Sequence, residues 1–367
     1  MKILYAIGAL LVLNACFQPP QPAMARHEAA TRTVAVVPPQ PTKISASISP
    51  SPTIPSAPDG SGSLASRADV QAFIGEMVSK HGFNSSELQS LFSRAQTQPE
   101  IIALISRPAE AKPWSAYRNI FLTNQRIQGG AEFWNSYETT LTRAERTYGV
   151  PAEIIVAIIG VETSYGINTG KYRVLEALAT LAFDYPKRAN FFRKELENYL
   201  LLTREEGIDP LALKGSYAGA MGLGQFMPSS YLTYAVDFDG DQHRDLWDNP
   251  RDAIGSVANY LSKHRWQTGE AVTIAAQVSG DQYRTLLSAK LARPSQSIRD
   301  MRRLGVMPQG FVNEQKSAML LELDGSNGPE YWLGFDNFYV ITRYNQSPLY
   351  AMAVYQLSQE IRGWHKG

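Results

Sequence analysis

The sequence predicts a mainly α (α+β) protein with one small β-containing insert, on three observations. Apolar residues recur at helical spacing in segment after segment from Val70 to Lys263. One of these, residues 151–162, is apolar nearly all round, so it belongs in the centre of a core. After Trp266 the pattern changes to short strand-like runs. The chain has 367 residues, 44% of them hydrophobic, enough for a substantial core and more than one domain. A formal net charge of +1 argues against a nucleic-acid binder that depends on a strong basic field. The single cysteine excludes an intramolecular disulfide framework and a cysteine-based zinc cluster. Only 19% of residues are charged, which shifts the burden of specific binding to Asn, Gln, Trp and the 18 Tyr.

Lys2 followed by the short apolar run 3–13 has the shape of a secretory signal, and no run reaches the length of a membrane-spanning helix. Leu13-Asn14-Ala15-Cys16 resembles a lipoprotein signal, which implies cleavage after residue 15 and a lipid on Cys16. Phe17, rather than Asp, at the next position implies an outer-membrane destination facing the periplasm. The alternative is an ordinary cleaved signal with an incidental cysteine. Residues 16–62 are rich in Pro, Ser and Ala and read as an extended tether that cannot offset its ordering entropy by burial.

Residues 63–150 read as a helical domain. Ser66 and Asp69 form a capping-box pattern ahead of Val70, Phe73, Ile74, Met77 and Val78, and Gly82 ends that helix. Helices follow over 86–96 and from Pro99, with one or two more over 114–147. The apolar helix 151–162 is followed by helical patterns over 174–183, 188–204, 228–235 and 252–263. Residues 272–274, 319–323 and 331–333 read as strands, with a hairpin connection at 324–328. Residues 338–344 read as a further strand start, and 352–362 as a helix.

Glu162 ends the most apolar helix. Burial and the negative end of the helix dipole both disfavour its charged form, which suits a general acid at neutral pH. The plainer reading is a glutamate that caps the helix or pairs with a nearby arginine. The glycine-rich segment 215–228 permits close backbone approach and presents Gln225, or is simply a tight packing turn.

Taken together, these segments resemble the lysozyme-like lytic transglycosylases, and most closely the lytic murein transglycosylase B family. The resemblance rests on Val161-Glu162-Thr163-Ser164-Tyr165-Gly166 and on segments 178–186, 215–230, 252–260 and 337–350, in that order. It spans the folded part, roughly 65–365. It implies a lysozyme-like catalytic core over 151–266, an additional helical domain, a small β insert over 267–335 and a return to the core over 336–367. It also implies cleavage of the β-1,4 bond between N-acetylmuramic acid and N-acetylglucosamine in peptidoglycan, with formation of 1,6-anhydro ends. Glu162 would serve as acid and then base, assisted by the substrate's N-acetyl group, so no second carboxylate is required. By the same resemblance Ser216 and Gln225 hold sugar substituents, and Tyr344 and Asn345 line the site. Tyr117, Tyr260 and Tyr350 wall the groove, and Arg188 faces a carboxylate of the substrate. Lys187 departs from the family's Arg-Arg pair and lacks the planar guanidinium fork.

Residues 237–252 form an EF-hand-like loop. Asp237, Asp239, Asp241 and Asp245 fall at positions 1, 3, 5 and 9, and His243 offers a backbone carbonyl at position 7. Such oxygen ligands suit a structural Ca2+. Gln242 replaces the usual glycine, and Asp248 stands where a glutamate is usual, so Asp252 is the alternative closing ligand. A solvated acidic turn is the competing reading. At the level of function, the rivals are a hydrolytic muramidase of goose-lysozyme type and a non-catalytic peptidoglycan-binding lipoprotein. Expected partners are glycan strands, the outer membrane and other cell-wall enzymes.

Overall fold

The computed structural model describes residues 63–106, 112–288 and 291–366. The signal, the tether and Cys16 lie outside the described residues. A short 3-10 turn, Leu64–Ser66, leads into α1 (Ala68–His81). The capping box expected at Ser66 is not formed. Ser63 caps the 3-10 turn and Arg67 takes the N-cap position of α1. Asp69 is held by Arg67, at 2.8 and 3.1 Å, and its Oδ1 also accepts from the Val70 N–H. The left-handed Gly82 closes the helix, as the sequence predicts.

Helices α2 (Ser85–Arg94) and α3 (Pro99–Ser106) follow. The stretch 114–147 is three helices rather than one or two: α4 (Trp114–Phe121), α5 (Asn124–Ser136) and α6 (Glu138–Tyr148). Thr123 caps α5 by accepting from the Arg126 N–H, and Tyr137 serves as both the C-cap of α5 and the N-cap of α6.

Helix α7 (Ala152–Thr163) is the centre of the molecule. Ten of its twelve residues are buried, and α5, α6, α11 (Pro250–Lys263) and α14 (Pro348–Lys366) pack around it. Its uniform apolar surface is what such a position requires. Between α7 and α11 run β1 (Tyr172–Arg173), α8 (Val174–Asp184), α9 (Ala189–Glu205), β2 (Lys214–Gly215) and α10 (Pro228–Tyr234). β1 and β2 pair antiparallel and bring the chain after Glu162 beside the glycine-rich segment.

The insert contains β3 (Thr273–Val278), β4 (Gln296–Ser297), α12 (Ile298–Arg303), β5 (Val306–Pro308), β6 (Ser317–Gly325) and β7 (Gly328–Gly334). The strands form one antiparallel sheet in the order β4-β6-β7-β3-β5. Alternation along β6 divides its side chains. Ala318 and Leu320 join Ile298 and Met301 of α12 in a small core, while Leu321 and Leu323 belong to the main core. Residues 338–344, expected to begin as a strand, lie instead in α13 (Asp336–Tyr344). Their β-branched and aromatic content suits a strand, but Phe338, Val340 and Ile341 gain burial in the main core by packing as a helix against α11 and α14.

Candidate active site

Glu162 sits in the last turn of α7. Thr163 is buried, and its hydroxyl donates to the Leu223 carbonyl at 2.9 Å. That bond ties the end of α7 to the glycine-rich segment. Ser164 and Tyr165 then turn in the left-handed region, with φ of 50° and 63°, which is uncommon for side chains of their size. Arg126 of α5 braces this pair. Its Nη2 lies 2.7 Å from Ser164 Oγ, and its backbone carbonyl accepts the Tyr165 hydroxyl at 2.7 Å. The Tyr165 ring occupies a slot floored by glycines. A Cβ at Gly130 or Gly160 would come within 2.5 Å of its hydroxyl oxygen. Sequence reasoning missed Arg126 and this slot, because Arg126 and Gly130 lie about thirty-five to forty residues from Ser164 and Tyr165 and follow no local spacing rule.

The Glu162 side chain is partly reached by solvent, yet burial pushes its carboxyl up to about 7. The one group opposing that shift is Tyr350 of α14, whose hydroxyl donates to Glu162 Oε1 at 2.6 Å. Among the described residues Glu162 forms no ion pair, so the arginine-paired alternative does not occur. Tyr350 itself is held well above the usual phenol range, chiefly by burial and then by Glu162, and remains a donor. Tyr344 stacks beside it, with ring centroids 6.5 Å apart and 9° between the planes. The Tyr344 hydroxyl donates to the Gly224 carbonyl at 2.6 Å. Tyr117 of α4 is pushed up to about 12 by burial and then by Glu162, which places it in the electrostatic reach of the carboxyl.

The other residues singled out by the sequence fall as follows. Gln225 is buried with a left-handed φ of 51°, and its Nε2 donates to the carbonyls of Gly222, at 2.9 Å, and Thr169, at 3.1 Å. Its amide is thus engaged with the loop backbone. Ser216 Oγ accepts from the Ala218 and Ala220 N–H groups at 3.3 and 3.0 Å, which leaves its own hydrogen to donate. Asn345 follows Tyr344, and its Oδ1 is buried with no hydrogen-bond partner among the described residues. Tyr260 packs edge-on to Tyr344 and donates to the Arg343 carbonyl at 2.6 Å. The Arg188 guanidinium lies over the rings of Phe191 and Phe192, 4.3 and 5.4 Å from their centroids.

Residues 65–359 match the family described as the transglycosylase SLT domain. The chain belongs to that family of lytic transglycosylases. It is 48% identical over 310 residues to membrane-bound lytic murein transglycosylase B of Escherichia coli (strain K12), covering 82% of this chain and 84% of that one. The crystal structure of soluble lytic transglycosylase SltB1 from Pseudomonas aeruginosa is similar with a TM-score of 0.79 and 50% identity, over 82% of this chain and 100% of that one. Escherichia coli lytic transglycosylase Slt35 in complex with calcium is similar with a TM-score of 0.76 and 47% identity, over 83% of this chain and 96% of that one. Among the described residues no helix is long and apolar enough to cross a membrane.

The acidic loop brings carboxylate oxygens of Asp237, Asp239, Asp241 and Asp252 within 4.8 Å of one another. Asp252 is fully buried at the start of α11. It accepts from the Phe238 and Asp245 N–H groups at 2.7 and 2.9 Å, and burial pushes it up to about 6. Asp245 stays outside the cluster, where its Oδ1 accepts from the Trp247 and Asp248 N–H groups. His243 donates its backbone N–H to Asp241 Oδ1 at 2.9 Å, and its side chain is exposed.

Proposed function

We propose that this lytic transglycosylase cleaves the β-1,4 bond between N-acetylmuramic acid and N-acetylglucosamine of peptidoglycan, with Glu162 as its one catalytic carboxyl. The observation that carries this reading is a carboxyl held near neutrality by burial and anchored through a single oxygen by Tyr350. With Oε1 engaged, Oε2 carries the proton. Glu162 gives that proton to the glycosidic oxygen as the C1–O4 bond breaks. The substrate's N-acetyl oxygen stabilises C1. The muramyl C6 hydroxyl then attacks C1 and returns its proton to Glu162, leaving a 1,6-anhydro end and a regenerated acid.

Ser216 retains a hydrogen suited to an acetamido carbonyl, and the unpartnered Asn345 Oδ1 suits a sugar N–H or hydroxyl. Tyr117, Tyr260, Tyr344 and Tyr350 supply rings for sugar faces. Gln225 shapes the loop on which a sugar substituent rests, and Arg188 faces a substrate carboxylate at the rim. The Asp237, Asp239, Asp241 and Asp252 carboxylates, with the His243 carbonyl, are the hard oxygen donors that Ca2+ takes. The ion would neutralise the acidic loop ahead of α11, a structural role. The full chain would be held by a lipid on Cys16 at the outer membrane, facing the periplasm.

Mass spectrometry of digested sacculi tests the reaction. Anhydro-muramyl ends are expected from the parent and none from Glu162→Gln. Reducing ends alone would assign hydrolysis instead, and undiminished cleavage by Glu162→Gln would remove the carboxyl from the mechanism.

A further inference from the structure

Behind the tyrosine wall, where the ends of α11 and α13 meet, a cavity of about 270 Å³ is rimmed by Lys263, Arg265, Arg293 and Arg343. Tyr339 and Val340 form part of its wall. Among the described residues the one carboxylate paired with these cations is Asp336, 3.0 Å from Arg293 Nε. Arg343 has a neutral partner, the Tyr339 hydroxyl at 3.3 Å, and its guanidinium lies 5.5 Å from that ring's centroid. Lys263 and Arg265 form no ion pair among the described residues. Four cations against one carboxylate is a concentrated excess in a chain whose formal net charge is +1. Their mutual repulsion opposes folding unless an anion joins them.

Helix dipoles account for part of the cluster. Lys263 and Arg343 lie in the last turns of α11 and α13, where cations are favoured. That effect does not extend to Arg293, which comes from the segment before β4, and does not explain Arg265. Arg265 follows α11 with a φ of 73°. Glycine or asparagine would be the low-strain choice there. The backbone there is used to close α11, since the Arg265 N–H donates to the Ser262 carbonyl at 2.9 Å and the Trp266 N–H to the Leu261 carbonyl at 3.1 Å. That closure does not account for the choice of arginine, because its side chain is exposed and forms no ion pair among the described residues.

We infer that this cavity is a second binding site, for the stem-peptide carboxylates of peptidoglycan. The inference rests on the peptidoglycan reading above. Guanidinium forks match carboxylates bidentately, and the half-buried Tyr339 ring offers apolar surface to the short side chains between them. A phosphate is less well served, because two helices direct carbonyls rather than N–H groups toward this place. The site adjoins the groove through one residue pair: the Arg343 carbonyl receives the Tyr260 hydroxyl, and Tyr344 follows in the chain.

The test compares the parent with the double variant Lys263→Gln/Arg265→Asn, which leaves the Arg293–Asp336 pair intact and places asparagine where φ is positive. Affinity is measured by co-sedimentation with intact sacculi and with sacculi stripped of peptides by an amidase. Initial rates are measured on a peptide-free glycan oligosaccharide. The variant is expected to bind intact sacculi about five- to ten-fold more weakly, the loss of two partly screened ion pairs. It should match the parent on stripped sacculi and on the oligosaccharide. Equal affinity of parent and variant for intact sacculi would overturn the site. So would an equal loss on stripped sacculi, or a loss seen only with phosphatidylglycerol vesicles, which would assign the cavity to a lipid phosphate. A parent that neither binds nor cuts any glycan would instead refute the peptidoglycan reading, and this site with it.

Discussion

Glu162 is governed by two opposing influences, burial that raises its pKa and the Tyr350 hydroxyl that lowers it. In the proposed role of general acid it must be protonated, so kcat/KM is expected to fall about tenfold per pH unit above about 7. Tyr350→Phe removes the opposing bond. The alkaline limb should therefore move to higher pH, a shift that a merely structural tyrosine would not produce. Stability obeys the same linkage. The folded carboxyl holds its proton up to about 7, while the unfolded one releases it near 4.5. This group's contribution is therefore complete below 4.5 and lost as pH rises through 7. Glu162→Gln should thus melt higher than the parent at pH 8, by on the order of 1–2 kcal/mol given the solvent that reaches the side chain, and equally at pH 4.5. The same variant should lose at least ~10³-fold in turnover, since acid and base are one group. The special position of Glu162 was legible in the sequence, because an acid ending an apolar helix is a conspicuous local conflict. The resemblance named Tyr350 only as a wall of the groove, and its bond to Glu162 was not legible, since nothing local links residue 162 to residue 350.

At the scale of elements, the end of α7 is set by two clasps, Thr163 to the Leu223 carbonyl and Tyr165 in its glycine slot. Gly160→Ala would drive a Cβ to 2.5 Å from the Tyr165 hydroxyl oxygen. The expected cost is about 1–3 kcal/mol in stability, with turnover falling more than Tm predicts because Glu162 lies two residues away. Thermal melts and initial rates on one preparation check both. The acidic loop gives a second prediction. Ca2+ at about 100 times its Kd should add roughly 2.7 kcal/mol to stability, chelator should remove it, and Asp252→Asn should abolish the response in calorimetry. Helices α1 and α11 were readable from their apolar period, and α7 from its all-round apolar surface. Helix α13 was not, because Phe-Tyr-Val-Ile-Thr favours a strand in isolation and only packing between α11 and α14 decides otherwise. The cap of α1 was misread for a related reason: Arg67 claims the Asp69 carboxylate that a capping box would need.

Across the whole molecule, the main core runs from Leu64 to Ile361, while the insert keeps a small core of its own around Ile298, Leu320 and Phe335. A protein beginning at residue 63 should therefore fold and cut soluble glycan at the parent rate. The full chain, but not its Cys16→Ser variant, should partition with membranes, as fractionation would show. Chain order also has a bearing on timing. Helix α14, last to be made, supplies both the Tyr350 hydroxyl and a wall of α7. A polypeptide still threading out of its exporter with only 340 residues released has its glutamate but lacks the phenol that orients it. On the proposed mechanism, a cell that builds this wall-cutting enzyme would release it harmless, the blade being set only when the final helix docks.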